Sequence, residues 1–163
     1  MSRPPLRPRA HYRHWHRIDT RFGDNDAFGH VNNAVYYAWY DTALNSFLLG
    51  AGLYEIGQTP GGGSDAIAYI AESSCRYVSA LRYPGMVEIG LSLERFGQSS
   101  LSWHLGAFAE HAQMPSAEGR IVQVCVSRRT ERPIPIPAPW RSTITERAMH
   151  PDGAQEKADI PWS

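Results

Sequence analysis

Several features that mark common functional classes are scarce in this sequence. Its formal net charge at pH 7 is zero, and Lys157 is the one lysine among its 16 basic residues. No apolar run approaches the length that a helix needs to cross a membrane. Because neither the charge nor the hydropathy favours them, we expect no nucleic acid and no membrane as partner.

Cysteine is also scarce, and the common metal and nucleophile motifs are missing. Cys75 and Cys125 lie far apart in two predicted strands and form no C-x-x-C pair, so zinc and dithiol patterns are excluded. We expect two buried thiols. The absence of G-x-S-x-G excludes the α/β-hydrolase mechanism, and no H-E-x-x-H motif occurs. We therefore predict neither a metal nor a cofactor.

The length of 163 residues predicts one domain with a sizeable core. We predict a flexible Pro- and Arg-rich arm over residues 1–11, the domain over 12–148 and a tail over 149–163. Three histidines near the arm (His11, His14 and His16) could bind a metal, and the basic arm could contact nucleic acid. Since no carboxylate or cysteine stands nearby, a flexible arm is the preferred interpretation. The arm lacks the apolar segment of a secretory signal, which predicts a cytoplasmic protein.

Periodicity predicts one long helix and five strands. A stripe at helical spacing (Tyr36, Tyr40, Ala43 and Phe47) begins near Asn33 and ends before two glycines. The predicted strands cover residues 15–22, 66–79, 86–96, 100–111 and 119–130, and a short helix covers 139–149. The glycine-rich connection 53–65 is placed near the mouth of the pocket. Short connections between the last three strands favour antiparallel neighbours, which predicts an α+β fold.

Residues 23–32, between the first strand and the long helix, combine turn residues with reactive side chains. A carboxylate here lies just upstream of a helix N-terminus. Free backbone N–H groups at that end can stabilise an oxyanion, and an aspartate nearby can act as general base or nucleophile. These groups suffice for acyl transfer without a serine or a cysteine.

The stretch D-x-D-A-x-G-H-V-N-N-x-x-Y, followed by a helix, resembles the hot-dog-fold acyl-CoA thioesterases, and in particular the 4-hydroxybenzoyl-CoA thioesterase family. The matching residues are Asp24, Asp26, Gly29, His30, Val31, Asn32, Asn33 and Tyr36. The resemblance implies a curved antiparallel sheet of about five strands wrapped around one long helix. It also implies hydrolysis of an acyl-CoA to a carboxylic acid and free CoA. A homodimer or homotetramer with interfacial active sites is expected.

The resemblance assigns roles within the motif. Asp26 stands where the family carries its essential carboxylate, although a turn or capping aspartate is the alternative. The backbone N–H of Asn33 would polarise the thioester carbonyl. His30 could be a general acid, position the substrate or simply pack in the turn.

The remaining candidates would bind the substrate or shape the loop. Gly29 supplies a backbone conformation or a close approach to the ligand. Asn32 caps the helix or bonds a neighbouring loop, and Tyr36 lines the pocket or the core. Asp24 orients the loop. Because CoA carries phosphates, arginines at strand ends are candidates for its binding, namely Arg82, Arg128, Arg129 and Arg132.

Two other functions stay open at this point. An enoyl-CoA hydratase on the same fold also places an aspartate and a histidine near the helix start. A non-catalytic domain that binds acyl-CoA or a partner is the second alternative. The sequence does not identify the acyl group, and an acyl-carrier-protein thioester is a possible substrate.

Overall fold

The computed structural model describes residues 4–53 and 65–150. Five strands form one antiparallel sheet in the order β1-β3-β4-β5-β2. The strands are β1 (His14–Asp19), β2 (Ala66–Tyr77), β3 (Met86–Phe96), β4 (Ser100–Ala109) and β5 (Ala117–Ser127), and the helices are α1 (Asn33–Gly50) and α2 (Ala138–Ala148). Most of the predicted connection 53–65 and most of the predicted tail lie outside the described residues.

The first strand is shorter than predicted. It ends at Asp19 rather than at Phe22, and beyond it both the backbone N–H and the hydroxyl of Thr20 donate to the carbonyl oxygen of Gly85, each at 2.9 Å. A short 3₁₀ turn then covers Phe22–Asp24. The chain therefore leaves the sheet before the motif begins.

The predicted apolar stripe of α1 faces the sheet, and all four of its residues are buried. The sheet supplies the other half of the core, chiefly from β3 and β4. Gly52 ends the helix with a φ of +70°, which favours glycine. A five-stranded antiparallel sheet packed around one long helix confirms the predicted hot-dog fold.

The opposite face of the sheet is covered by the segment that precedes β1. Tyr12 packs flat against Gly90 and Gly106, where a Cβ atom would meet its ring carbons at 2.7 Å in each case. The backbone N–H of Arg7 donates to Glu118 at 2.7 Å, and that of Arg9 donates to Gln113 at 2.8 Å. Part of the segment predicted as a flexible arm thus packs on the sheet, and the proposed boundaries stay a prediction.

Because the segment before β1 lies over the sheet, the polar side chains of β3 are buried. Glu88 and Ser92 are only 4% and 0% exposed. The Arg9 guanidinium donates to Glu88 at 2.7 Å, and the Ser92 hydroxyl donates to the carbonyl oxygen of His11 at 2.9 Å. Apolar and polar side chains alternate between the two faces of β3, but both faces lie inside the protein.

In β5 as well, the side chains on both faces of the sheet are at least partly buried. Ile121, Gln123 and Cys125 are buried, whereas the Val122 and Val124 side chains are only half-buried. The buried Gln123 is satisfied, since its Oε1 accepts from the Trp103 indole N–H at 2.9 Å. Both cysteines are free, with Cys125 buried and Cys75 half-buried.

Helix α2 follows the proline-rich segment and packs on the end of β3. Three of its residues that recur at helical spacing are buried, namely Trp140, Ile144 and Ala148. Arg141 donates to the carbonyl oxygen of Gly97 at 2.7 Å and lies 4.6 Å from the ring centre of Phe96. Across residues 4–53 and 65–150, neither helix has the length and hydropathy of a transmembrane segment.

Candidate functional site

The motif folds into a closed loop between the 3₁₀ turn and α1. Asn25 and Val31 form an isolated antiparallel bridge at its base. Inside the loop, the Asp26 N–H donates to the carbonyl oxygen of His30 at 2.8 Å, and the Gly29 N–H donates to that of Asp26 at 3.1 Å. Gly29 has a φ of +74°, which a residue with a Cβ atom rarely adopts. The glycine therefore closes the turn that presents Asp26.

Asp26 is half-buried, and only one of its carboxylate oxygens is used by the loop. Its Oδ1 accepts from the Phe28 N–H at 2.8 Å, which forms an Asx turn. Within the described residues, Oδ2 accepts no hydrogen bond. The turn thus fixes the carboxylate while leaving one oxygen for another partner.

The start of α1 is held by two bonds on Asn32. Its N–H donates to the carbonyl oxygen of Asp24 at 2.8 Å, and its Oδ1 accepts from the Ala34 N–H at 2.9 Å. Asn32 is therefore the N-cap, as predicted from its position. Between these bonds, the exposed Asn33 has an N–H with no acceptor in the part of the chain that the structure describes. This donor is available to a bound oxygen atom.

Asp24 has a structural role in this geometry. It is only 4% exposed. Its Oδ2 accepts from the Arg21 N–H at 2.7 Å, and its Oδ1 lies 3.5 Å from the Arg21 guanidinium. It thus fixes the entry to the loop rather than facing a ligand.

His30 contacts Arg82, which the turn after β2 brings to the loop. The Arg82 guanidinium and the His30 Nε2 are 2.8 Å apart. Because a guanidinium can only donate, Nε2 is the acceptor and carries no proton in this arrangement. The contact therefore ties His30 to Arg82 at the edge of the loop.

Tyr36 lies in the core rather than at a pocket surface. It is 3% exposed, and its ring packs against those of Trp39 and Tyr77 at 5.4 and 5.1 Å. Burial raises the pKa of its hydroxyl, which also contacts the backbone of Leu81. The Tyr36 ring therefore lies in the core, which is the second of its two predicted placements.

Three aromatic residues near the loop were not predicted as site residues. Phe22 and Phe28 are 83% and 85% exposed, and Tyr83 is 39% exposed. The rings of Phe22 and Tyr83 meet edge to face, with centres 6.0 Å apart. Exposed apolar patches can mark ligand-binding surfaces, but no pattern in the sequence distinguishes these aromatic residues from those of the core.

The predicted arginines after β5 lie far from the Asp26 loop, namely Arg128, Arg129 and Arg132. They follow Ser127, which pairs with Ala66 at the first end of β2, whereas the loop lies near Tyr77 at the other end. A strand of 12 residues spans roughly 36 Å. The predicted arginine cluster therefore divides into Arg82 at the loop and three residues far from it.

Two of the three histidines near the N-terminus pack on aromatic rings of the domain. His14 packs edge to face on Phe47, with ring centres 5.0 Å apart, and His11 stacks on His150 at 4.5 Å. Across residues 4–53 and 65–150, no group of three or more histidine, cysteine or acidic side chains could hold a metal ion. The described site comprises the Asp26 carboxylate, the N-terminus of α1 and the His30 imidazole.

The chain is similar to several proteins of known structure. The PA5185 protein from Pseudomonas aeruginosa shares 38% identity, with a TM-score of 0.80 over 89% of this chain and 98% of that one. A predicted thioesterase from Bacillus stearothermophilus shares 25%, with a TM-score of 0.70 over 84% and 97%. A 1,4-dihydroxy-2-naphthoyl-CoA thioesterase from Synechocystis shares 17%, with a TM-score of 0.70 over 81% and 95%, which shows a common fold.

A search of curated protein sequences finds no match. The family model of the thioesterase-like superfamily matches residues 20–146, which is most of the chain and includes the whole motif. The chain belongs to the thioesterase-like superfamily.

Proposed function

We propose that the protein hydrolyses an acyl-CoA thioester to a carboxylic acid and free CoA. The observation that carries this proposal is the free N–H of Asn33, which opens α1 directly after a loop that presents one unengaged oxygen of Asp26. An oxyanion donor and a carboxylate are the two groups that thioester hydrolysis needs. Membership of the thioesterase-like superfamily supports the same reaction class.

In the proposed reaction, Asp26 attacks the thioester carbonyl or removes a proton from the attacking water. The carbonyl oxygen gains negative charge and accepts from the Asn33 N–H. The carbon–sulfur bond then breaks, and CoA leaves as the thiolate. In the general-base route, the thiolate takes up the proton that Asp26 removed from water. In the nucleophilic route, water cleaves the resulting anhydride and restores the carboxylate.

His30 is assigned to positioning in this proposal. Its Nε2 already accepts from Arg82, so it is not free to remove a proton from water. This contact also disfavours the hydratase alternative, because that reaction uses an aspartate together with a histidine. The narrower assignment to the 4-hydroxybenzoyl-CoA thioesterase family rests on the motif, and the three exposed aromatic rings beside the loop are compatible with an aromatic acyl group.

We further propose that the active protein is a homodimer joined through β2. In the described structure β2 pairs with β5 on one side only, and six consecutive residues at its centre are exposed. An unpaired strand of this length is a surface for association. Antiparallel pairing of two β2 strands would bring the first end of one beside the last end of the other. Arg128, Arg129 and Arg132 of the second copy would then approach the Asp26 loop.

The arginines can be tested by shortening the substrate. Because they would bind the phosphates of CoA, Arg129→Gln is expected to raise KM for an acyl-CoA about tenfold. The same variant should leave KM unchanged for the corresponding acyl-pantetheine, which lacks the nucleotide. Arg147→Gln, an equally exposed arginine on α2, is the matched control. An equal effect of Arg129→Gln on both substrates would contradict the proposal.

The reaction itself is tested by free thiol release from a panel of acyl-CoA thioesters, from benzoyl to palmitoyl, and from acyl-carrier-protein thioesters. Release of CoA with formation of the free acid supports the proposal, and the panel identifies the acyl class. Hydration of an enoyl-CoA without thiol release would favour the hydratase. Tight binding of acyl-CoA with no turnover of any panel member would favour the non-catalytic domain.

A further inference from the structure

Tyr77, the last residue of β2, connects the sheet to the start of α1. Its hydroxyl donates to the carbonyl oxygen of Asn33 at 2.9 Å. Its ring packs edge to face on Tyr36, with an interplanar angle of 79°. Tyr77 is itself 42% exposed at the site side of the sheet. No residue of the motif supplies this contact, since it comes from a strand that is distant in sequence.

The Tyr77 bond joins the helix start to the sheet, unlike the two bonds made by Asn32. The contacts of Asn32 with Asp24 and Ala34 lie within the loop and the first turn, so they fix local backbone geometry. They do not fix the position of that turn relative to the sheet. The Tyr77 hydroxyl ties the turn to β2, which pairs with β5 from Ala66 to Tyr77 with one register shift between Ile70 and Glu72.

The Tyr77 hydroxyl is held in turn by its neighbours. The Cys75 thiol lies two residues earlier on β2 and also contacts the Tyr40 hydroxyl at 3.8 Å. Burial, with further contributions from Cys75 and Tyr37, raises the pKa of Tyr77. The hydroxyl therefore stays protonated at neutral pH and remains a donor.

We propose that Tyr77 is a positioning residue for the oxyanion site, acting through Asn33. Its bond fixes the position of the first turn of α1 relative to the sheet. The position of the Asn33 N–H is fixed with it. Stabilisation of an oxyanion depends on a donor that is already in place when charge develops. The inference rests on the proposed function and adds to it a residue outside the motif.

The test is the variant Tyr77→Phe, which keeps the ring contact with Tyr36 and removes only the hydroxyl. We expect kcat to fall about tenfold while KM changes less than about twofold, because a donor that acts in the transition state governs kcat. Thr42→Val is the matched control, since the exposed Thr42 hydroxyl also donates to a backbone carbonyl oxygen of α1, that of Ala38 at 2.7 Å, outside the site. Melting temperature and dimer content of both variants are measured alongside. A kcat within about twofold of the wild type would overturn the proposal and leave the thioesterase assignment intact.

A binding measurement keeps the inference testable if the wild type hydrolyses none of the thioesters. Two inert CoA analogues are compared, a ketone in which a methylene group replaces the thioester sulfur and a thioether that lacks the carbonyl. Tyr77→Phe is expected to weaken binding of the ketone at least about threefold and to leave the thioether unchanged. Equal losses for both analogues, or no binding of either by the wild type, would overturn the proposal.

Discussion

Asp26→Asn is expected to lower kcat for thioester hydrolysis at least ~100-fold with little change in KM. The substitution removes the negative charge that attacks the carbonyl or accepts a proton from water. It keeps the Oδ1 atom that accepts from the Phe28 N–H at 2.8 Å, so the loop should retain its shape. The loss can therefore be assigned to chemistry rather than to folding.

Thiol release is measured for the wild type, Asp26→Asn and a control, Asp41→Asn. Asp41 is an exposed aspartate of α1 whose Oδ1 also accepts one hydrogen bond, from Asn45 at 2.9 Å. The control removes the same charge and keeps a similar contact outside the site. If Asp26→Asn hydrolyses the substrate as fast as the control, Asp26 is not the catalytic carboxylate.

Glu88→Gln is expected to destabilise the protein by about 2–3 kcal/mol at pH 7. Glu88 is a buried carboxylate on β3 with three donors around it. Its Oε2 accepts from Arg9 at 2.7 Å and from the His111 N–H at 3.2 Å, and its Oε1 lies 3.4 Å from Arg17. The bond from Arg9 is the main cause that lowers the pKa of Glu88 from 4.5 to about 2. A glutamine would leave the Arg9 guanidinium without its charged acceptor.

The pH dependence of this effect has a definite sign. Since the pKa of Glu88 is lower in the folded state, the unfolded chain binds the proton first as the pH falls. The stabilisation by Glu88 is complete above about pH 4.5 and is lost as the pH falls toward about 2. The difference between wild type and variant should therefore shrink over this range.

Urea unfolding at pH 7 and at acidic pH measures this difference. Glu146→Gln, on the exposed face of α2, is the control for removal of one negative charge. A destabilisation by Glu88→Gln that is the same at both pH values would show that packing, rather than the charge on Glu88, is responsible.

The parts of the site that sequence could predict are those formed by neighbours in the chain. Asp26, Gly29, Asn32 and Asn33 occupy one loop and one helix start, and local turn and cap chemistry determines their geometry. Tyr77 was missed because its contact with Asn33 depends on the pairing of β2 with β5. No local pattern encodes which strand becomes the neighbour of another.

The fold shows the same division. The helical stripe of α1 and the strands β3 and β4 were predicted because their periodicity is local. The burial of Glu88 was not, because it depends on Arg9 and Tyr12, which reach the sheet from the beginning of the chain. Three arginines after β5 were grouped with Arg82 by chemistry alone, and sequence does not reveal that they lie at the opposite end of β2.

The order of strands also bears on how the chain folds as it is synthesised. β3, β4 and β5 are consecutive in sequence and adjacent in the sheet, so they can pair as soon as they are made. Among the described strands, β2 precedes them but pairs only with β5, the last of the five to be made. Because long-range pairing is slow, we expect low φ-values in β2 and higher ones in β3 and β4, as measured by folding kinetics of Ile67→Val and Leu105→Ala.

Until β5 is complete, β2 has no partner in the nascent chain, and the edge that we assign to dimer formation does not yet exist.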